Sequence, residues 1–197
     1  MRVCVYGASS TRIDQVYIDE GEKLGLGIAE RGWGLVFGAG KNGLMGAAAR
    51  GATEGGGKII GVVPTFFQNV DGELYDKCTD LVYTETMRRR KQTMEELADA
   101  FIITPGGVGT MDEFFEIFTL RHLKQHDKPI AILNTEGFYD DLLALLKEMV
   151  ETRFLIGSTL DCLLVSSDPE EVLNMIQKEI EEKEKQEKEE TEENDPE

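Results

Sequence analysis

Short apolar runs alternate along the chain with segments whose apolar residues recur at helical spacing. The apolar runs predict strands at 3–6, 35–37, 59–63, 81–83, 101–104, 130–133 and 163–165. The helical spacing predicts helices at 14–31, 43–54, 87–98, 109–123, 138–151 and 169–185. Apolar strands that alternate with helices are typical of a parallel sheet covered on both faces. We therefore predict an α/β domain with a Rossmann-like, doubly wound parallel sheet.

Three predicted strands are each followed by a glycine-bearing loop, at 7–10, 38–46 and 106–109. Ligands of doubly wound sheets bind at the carboxyl ends of the strands, so we expect these loops to converge on one crevice. The loop at 38–46 matches neither a dinucleotide fingerprint nor a Walker loop, and Lys41 is interpreted as a cation at the rim. Residues 65–79 lack clear periodicity and form a loop that could cover the site.

The third loop carries the sequence PGGVGTMDE and leads directly into a predicted helix. Gly106, Gly107 and Gly109 allow a ligand to approach the backbone because they carry no Cβ. Free N–H groups in the first turn of a helix bind anions, most often phosphate. Thr110 can add a hydroxyl to this site. The segment therefore predicts a phosphate-binding loop.

Glu113 lies about one turn inside the same predicted helix, near any sugar that a bound phosphate carries. A carboxylate repels a phosphate, so a protein that only binds its ligand gains little from an acid at this position. The alternative is that Glu113 supports the N-terminus of the helix as a first-turn acid. The spacing alone leaves both interpretations open.

A basic cluster, MRRRKQTM at 87–94, begins the helix that leads into the strand before the glycine loop. Most such clusters are solvated surface, but this one stands out in a chain with 38 acidic and 21 basic residues. Its position favours an anion clamp, in which arginine supplies a planar fork. The side chains at 87, 90, 91 and 94 recur at helical spacing and share one face, whereas Arg88 and Arg89 point away from it.

Together, PGGxGTxxE and an upstream Arg-Lys pair flanked by methionines resemble the Lonely Guy family. Its members are cytokinin riboside 5′-monophosphate phosphoribohydrolases, which are often mislabelled as lysine decarboxylases. The resemblance covers about residues 1–175 and includes the segments 3–10, 36–46 and 126–143. It implies that Arg90 and Glu113 are the catalytic residues.

Further substrate contacts are assigned to Lys91 and to Thr119. Thr119 matches a substrate position of the family, and its alternative is a threonine that packs the helix. One departure from the family concerns the residues before the Arg-Lys pair, where His-Glu is usual and this chain has Arg88-Arg89. The exchange leaves the catalytic pair intact and bears on the preference for the base.

The resemblance implies hydrolysis of the N-glycosidic bond of adenosine 5′-monophosphates, including N6-substituted ones, to free base and ribose 5-phosphate. It also implies a homodimer, since members of the family are commonly dimers, although some are hexamers. No metal or redox cofactor is expected, and a lysine decarboxylase would need a pyridoxal-binding lysine that the sequence does not offer. The alternative function is a non-catalytic nucleotide- or molybdopterin-binding carrier of the same fold.

The net charge of −17 is unevenly distributed. Residues 179–197 hold eleven acids and three lysines, a net charge of −8, which leaves −9 for residues 1–178. We expect 1–178 to form one nucleotide-binding domain and 179–197 an acidic tail, helical or disordered, that makes no contact with the core. Nucleic acid is not expected as a partner, because its recognition needs a basic surface.

The three cysteines, Cys4, Cys78 and Cys162, are scattered, and neither they nor His122 and His126 have the spacing of a metal site. Reduced cysteines are typical of a cytoplasmic protein. The first residues have the pattern of a strand rather than of a signal peptide, and no apolar run approaches the length of a membrane span. We therefore expect a cytoplasmic protein that does not contact membranes.

Overall fold

The computed structural model of the protein describes residues 1–67 and 73–193, without the side chains at 187 and 190–193. Its seven strands form one parallel sheet in the order β4-β3-β2-β1-β5-β6-β7. The strands are β1 (Arg2–Tyr6), β2 (Gly34–Phe37), β3 (Ile59–Pro64), β4 (Asp80–Thr84), β5 (Ala100–Ile103), β6 (Ile130–Leu133) and β7 (Leu163–Ser166). The predicted Rossmann-like fold is confirmed, with strand boundaries within one residue of those expected.

The described helices cover both faces of the sheet, as the sequence predicts. They are α1 (Gln15–Glu30), α2 (Gly43–Glu54), α3 (Met87–Leu97), α4 (Val108–His122), α5 (Asp140–Glu151) and α6 (Pro169–Glu193). Apolar residues of α1, α2 and α6 pack on one face of the sheet, and those of α3, α4 and α5 pack on the other. Among these described helices, none is both long enough and apolar enough to cross a membrane.

The prediction for 65–79 is only partly tested, because residues 68–72 lie outside the described residues. Thr65–Phe67 form a short 3₁₀ turn. Further along, Leu74 forms an isolated antiparallel bridge with Gly40, and the Lys41 N–H donates to the Glu73 carbonyl at 3.0 Å. This segment therefore lies against the loop that follows β2.

The sheet reverses its direction of winding between β1 and β5, which lie side by side at its centre. From β1 the chain moves outward through β2, β3 and β4, and it then returns through α3 to β5. Loops that follow the two central strands diverge to opposite faces of the sheet and leave a crevice between them. The fold therefore places the loop after Tyr6 opposite the PGGVGT loop after Ile103.

The expectation that residues beyond 178 make no contact with the core is wrong. Helix α6 continues across this boundary, and Ile180 packs against the same core cluster as Leu173 and Ile176. Glu179 accepts a hydrogen bond from Arg121 at 3.1 Å, with both side chains mostly buried. The cause is helical periodicity, which keeps residues three and four apart on one face after the surrounding composition has become polar.

We predict that the chain's stability depends on where the acidic tail is cut. Truncation after Lys178 removes Glu179 and Ile180 and should lower the free energy of unfolding by about 1–2 kcal/mol. For a domain of this size that corresponds to a fall of roughly 3–6 °C in melting temperature. Truncation after Lys185 keeps both contacts and should leave the melting temperature unchanged. Calorimetry measures both truncated chains. Equal melting temperatures for the two truncated chains would contradict the packing of α6 described above.

Candidate active site

A crevice of about 340 Å³ lies at the carboxyl ends of β1 and β5. The loop after β1, the start of α4 and one face of α3 form its walls, and Met45 of α2 closes one side. Six of the residues that the sequence predicts for the site line this crevice: Arg90, Lys91, Gly107, Gly109, Thr110 and Glu113. The predicted residues of two separate motifs therefore meet at the switch point of the sheet.

The glycine loop presents unoccupied backbone donors to this crevice. Helix α4 begins at Val108 with Gly107 as its N-cap, and no side chain among the described residues caps it. At Gly107 and Gly109 an added Cβ would meet no described atom within 4 Å, so both positions face open space. The first-turn N–H groups are therefore free to bind an anion, as the sequence predicts.

Gly106 and Thr110 differ from these two glycines because they pack against each other. A Cβ at Gly106 would lie 2.1 Å from Thr110 Oγ1, and Thr110 is buried. The absence of a side chain at Gly106 therefore makes room for Thr110 to fold back over the loop. Thr110 still lines the crevice, at the first turn of α4.

Buried hydrogen bonds fix the start of the glycine loop. The Thr104 hydroxyl donates to the Tyr6 carbonyl at 2.9 Å, and the Tyr139 hydroxyl donates to the Thr104 carbonyl at 2.8 Å. The Ala8 N–H donates to the Pro105 carbonyl at 3.1 Å, which joins the loops after β1 and β5. Tyr139 was missed in the sequence, because nothing in its local pattern connects it with a loop some 30 residues earlier.

Arg90 is buried beneath the crevice and is held from two directions. Its Nε donates to the Val62 carbonyl at 3.0 Å, and its Nη1 donates to Glu113 Oε1 at 3.1 Å. Arg88 and Arg89, in contrast, are exposed. The predicted orientation of the cluster is confirmed, since Arg90 alone of the three arginines turns inward.

The start of α3 explains why Arg90 has this orientation. Thr86 is the N-cap of the helix, and its hydroxyl accepts a hydrogen bond from the Arg89 N–H at 3.1 Å. Met94, one turn after Arg90, is fully buried in the core. Because residues four apart lie on one helical face, the buried methionine turns Arg90 toward the sheet.

Lys91 lies at the edge of the crevice between two acids of α4. Its Nζ lies 2.9 Å from Asp112 Oδ2 and 2.7 Å from Glu116 Oε2. Partial burial disfavours the charged amine, but the hydrogen bonds to Glu116 and Asp112 outweigh this and raise the pKa of Lys91. Lys91 therefore ties α3 to α4 as a cation, a contact that the sequence did not predict.

Glu113 lies in the second turn of α4, because the helix begins five residues earlier at Val108. It is therefore not a first-turn acid, and its carboxylate bonds to Arg90. Burial raises the pKa of Glu113 to about 7, although the Arg90 guanidinium lowers it. A carboxyl group with a pKa near neutrality can both accept and release a proton under physiological conditions.

Thr119, like Gly106, is a predicted site residue that does not line the crevice. It lies six residues after Glu113 on α4, which turns its side chain to a different face of the helix. The side chain is exposed, so it does not pack this helix within the chain. Its predicted contact with substrate stays a prediction.

A larger cavity, of about 580 Å³, lies at the other end of α4. Some of its polar side chains are already bonded: His122 Nδ1 lies 2.8 Å from Thr159 Oγ1, and Arg121 bonds to Glu179 of α6. Within residues 1–67 and 73–193, no three histidine, cysteine or acidic side chains are grouped to hold a metal ion. The crevice at the switch point is therefore the candidate active site.

A family model described as "Possible lysine decarboxylase" matches residues 45–176. A cytokinin riboside 5′-monophosphate phosphoribohydrolase of Mycobacterium tuberculosis is 40% identical over 172 residues, which cover 87% of this chain and 90% of that protein. The chain belongs to the Lonely Guy family. A second member, from Rhodococcoides fascians, carries the same name and is 37% identical over 79% of each chain.

Two solved structures that resemble this fold are more distant than these family members. A molybdenum cofactor binding protein from Rippkaea orientalis superposes with a TM-score of 0.68, at 22% identity, over 91% of this chain and 95% of that one. A molybdenum cofactor carrier protein from Chlamydomonas reinhardtii has a TM-score of 0.68 at 21% identity, over 92% and 98% of the two chains. Likeness at this level of identity shows that the fold is shared.

We predict that the free energy of unfolding of Glu113→Gln, relative to that of the unmodified protein, is higher at pH 8 than at pH 5. Between pH 4.5 and about 7, the folded protein keeps a proton on Glu113 that the unfolded chain releases. Stability is therefore lost as pH rises through this window, and the glutamine variant avoids that loss. Thermal unfolding at pH 5 and pH 8 measures the difference.

Glu96→Gln is the matched control, because Glu96 is an exposed carboxylate that bonds to Arg89 on the surface of α3. It should change the melting temperature by a similar, small amount at both pH values. A Glu113→Gln variant whose difference from the unmodified protein is equal at pH 5 and pH 8 would contradict the raised pKa of Glu113.

Proposed function

We propose that this protein hydrolyses the N-glycosidic bond of adenosine 5′-monophosphate and its N6-substituted forms. The products are the free base and ribose 5-phosphate. The observation that carries the proposal is the buried contact of 3.1 Å between Arg90 and Glu113, one turn beyond a free helix N-terminus. Family members 37–40% identical to this chain, which are named phosphoribohydrolases, support the same reaction.

The 5′-phosphate of the substrate binds to the N–H groups of Gly107, Gly109 and Thr110, where the first turn of α4 opens into the crevice. Four residues separate Gly109 from Glu113, a rise of about 6 Å along the helix. That distance suits a ribose held between its phosphate and the carboxylate. The phosphate thus anchors the sugar in register with the reacting group, which reduces the entropic cost of the reaction.

Bond cleavage separates the base from C1′ and leaves positive charge on the sugar ring, as in glycoside hydrolysis. Ionised Glu113 stabilises this charge or takes a proton from the water whose oxygen bonds to C1′. The departing base carries away the electron pair of the broken bond and gains a proton. A carboxyl with a pKa near 7 is suited to such a transfer at neutral pH.

Arg90 has three conceivable roles: binding the phosphate, orienting Glu113 or assisting the departing base. Its contacts favour the second role, because Nε is held by Val62 and Nη1 by Glu113. The side chain is 9% exposed, which leaves it little freedom to follow a moving ligand. Lys91, at the rim of the crevice, supplies a cation beside the bound nucleotide.

The alternative is a carrier that binds a nucleotide or a molybdopterin without turnover. The solved structures of molybdenum cofactor proteins favour it, but they share with this chain only about a fifth of their residues. A carrier of an anionic ligand has no use for a buried carboxylate beside its phosphate site. The Arg90–Glu113 pair therefore favours the hydrolase.

We further propose that the protein is a cytoplasmic homodimer that acts on a small-molecule substrate, without nucleic acid or membrane partners. Met87 and Val108 lie at the crevice and its glycine loop with 44% and 87% of their surfaces exposed. Apolar side chains beside a polar site suit closure by a second copy of the chain. The cysteines at 4, 78 and 162 form no disulfide, which suits a reducing compartment.

The function is tested by the release of ribose 5-phosphate from adenosine 5′-monophosphate. We predict far faster cleavage of the nucleotide than of adenosine, because the glycine loop has no anion to hold in the nucleoside.

Glu113→Gln should keep nucleotide binding and lose turnover by a factor of ~10² or more. Glu96→Gln, on the exposed surface of α3, is the control and should keep the activity. A variant at Glu113 with normal turnover would overturn the mechanism.

We predict that Arg90→Lys loses most activity although it keeps the charge. A lysine cannot bond to Val62 and Glu113 at once, because it lacks the planar fork of arginine. Arg88→Ala and Arg89→Ala should keep most activity, since both side chains are exposed on the surface of α3. All three variants are assayed with one substrate at one salt concentration. An inactive Arg89→Ala beside an active Arg90→Lys would overturn the assignment.

We predict that sedimentation equilibrium gives twice the chain mass at micromolar concentration. Burial of the exposed apolar surface around Val108 against a second chain drives the association. A monomer with full activity would show that the crevice of one chain is sufficient for the reaction, and it would contradict the proposed dimer.

A further inference from the structure

The guanidinium of Arg90 lies against a backbone position that has no room for a side chain. A Cβ added at Gly38, the first residue after β2, would lie 1.8 Å from Arg90 Nη2 and 3.0 Å from its Cζ. The first separation is not possible without movement of the guanidinium, and the second is unusually tight. Gly38 therefore forms a third wall of the slot that already holds Arg90 through Val62 and Glu113.

The backbone conformation does not itself require glycine at position 38. Among residues 1–67 and 73–193, the glycines with positive φ are Gly32, Gly43, Gly56 and Gly137. Gly38 has a conformation that any residue adopts, so neighbouring side chains, chiefly that of Arg90, exclude a side chain there. Gly38 is absent from the walls of the crevice, and after those of Arg90 the nearest atom to its added Cβ would be Met45 Sδ, at 3.2 Å, so an effect on substrate passes through one of these two side chains.

The slot leaves Arg90 no alternative position that keeps its contacts. Nε points to the Val62 carbonyl of β3, and Nη1 points to Glu113 of α4. A planar guanidinium that moves away from a new methyl group at Gly38 must lengthen or break one of these two bonds. The bond to Glu113 is the one that bears on the chemistry.

We propose that Gly38 is a positioning residue for the hydrolysis, in which its missing side chain holds the Arg90 guanidinium in contact with Glu113. The inference rests on the proposed function for its effect on rate. Its structural part, the dependence of the Arg90–Glu113 contact on Gly38, stands on the geometry of the slot alone. Each part can be measured separately.

Several groups influence the ionisation of Glu113, but only one of them touches Gly38. The titratable and charged groups that face Glu113 from α3, α4 and β1 are Arg90, Lys91, Asp112, Cys4 and Tyr6. Arg90 lowers the pKa of Glu113. Its displacement should therefore raise that pKa above about 7, so that Glu113 is less ionised at neutral pH.

Gly38→Ala is the test, and Gly40→Ala in the same loop is its matched control. A Cβ at Gly40 meets only the mobile end of Met45, with Cε at 2.9 Å, and does not approach Arg90. The carboxyl signal of Glu113 is followed by NMR over a pH titration and is assigned with Glu113→Gln. The dependence of kcat/KM on pH is measured in parallel.

We expect Gly38→Ala to raise the pKa of Glu113 by roughly one unit, the scale of losing a nearby opposite charge. The acidic limb of kcat/KM should move to higher pH by the same amount, while Gly40→Ala keeps both curves in place. A Gly38→Ala titration that superposes on that of the unmodified protein overturns the proposal. If the unmodified protein releases no ribose 5-phosphate, the proposed function fails, and the NMR titration still decides the role of Gly38.

If Gly38→Ala does not fold, the clash is tested in a second variant that lacks the Arg90 guanidinium. In an Arg90→Ala background the guanidinium is absent, so Gly38→Ala should fold and melt close to the Arg90→Ala variant alone. Non-additivity of this kind indicates that the two positions act on each other. A double variant that is as unfolded as Gly38→Ala would show that something other than Arg90 excludes the methyl group, and it would overturn the proposal.

Discussion

The site depends on one buried ion pair, that between Arg90 and Glu113. Their side chains are 9% and 13% exposed, so both charges have lost most of their hydration. Such a loss is costly unless each partner is well bonded, and removal of one partner leaves the other charge buried alone. Nearby features meet this constraint: the Val62 carbonyl accepts from Nε, and Gly38 leaves space for Nη2. These bonds do not fully replace the lost hydration, so the pKa of Glu113 stays near neutrality, which suits proton transfer.

The sheet order brings the two partners together. Arg90 comes from α3, which returns the chain from the edge strand β4 to the centre, and Glu113 comes from α4, which follows the central strand β5. Both helices pack on the same face of the sheet. Lys91 reinforces this arrangement by bonding to Asp112 and Glu116 of the neighbouring helix. The N-terminus of α4, the carboxylate and the guanidinium are thus positioned by rigid elements rather than by loops alone.

The shared fold of phosphoribohydrolases and molybdenum cofactor proteins shows that the scaffold does not select the chemistry. In this chain a glycine loop at a helix N-terminus leaves backbone N–H groups open to an anion. An acid lies one turn beyond that loop, together with an arginine that opposes its protonation. The chemistry therefore follows from the site, and the fold explains only why the site lies at the centre of the sheet.

The sequence determined the features that depend on neighbours along the chain: the strand and helix alternation, the glycine turn before α4, and the inward face of Arg90, which follows from helical periodicity. Only the tertiary structure decided the contacts between elements. Arg90 and Glu113 are 23 residues apart and meet through the sheet order. The same holds for Gly38 beneath the guanidinium, and for Ile180, which packs on the core from a segment that composition alone assigned to a solvated tail. Local patterns set what each segment can become, but burial and through-space contact are properties of the assembled sheet and its helices.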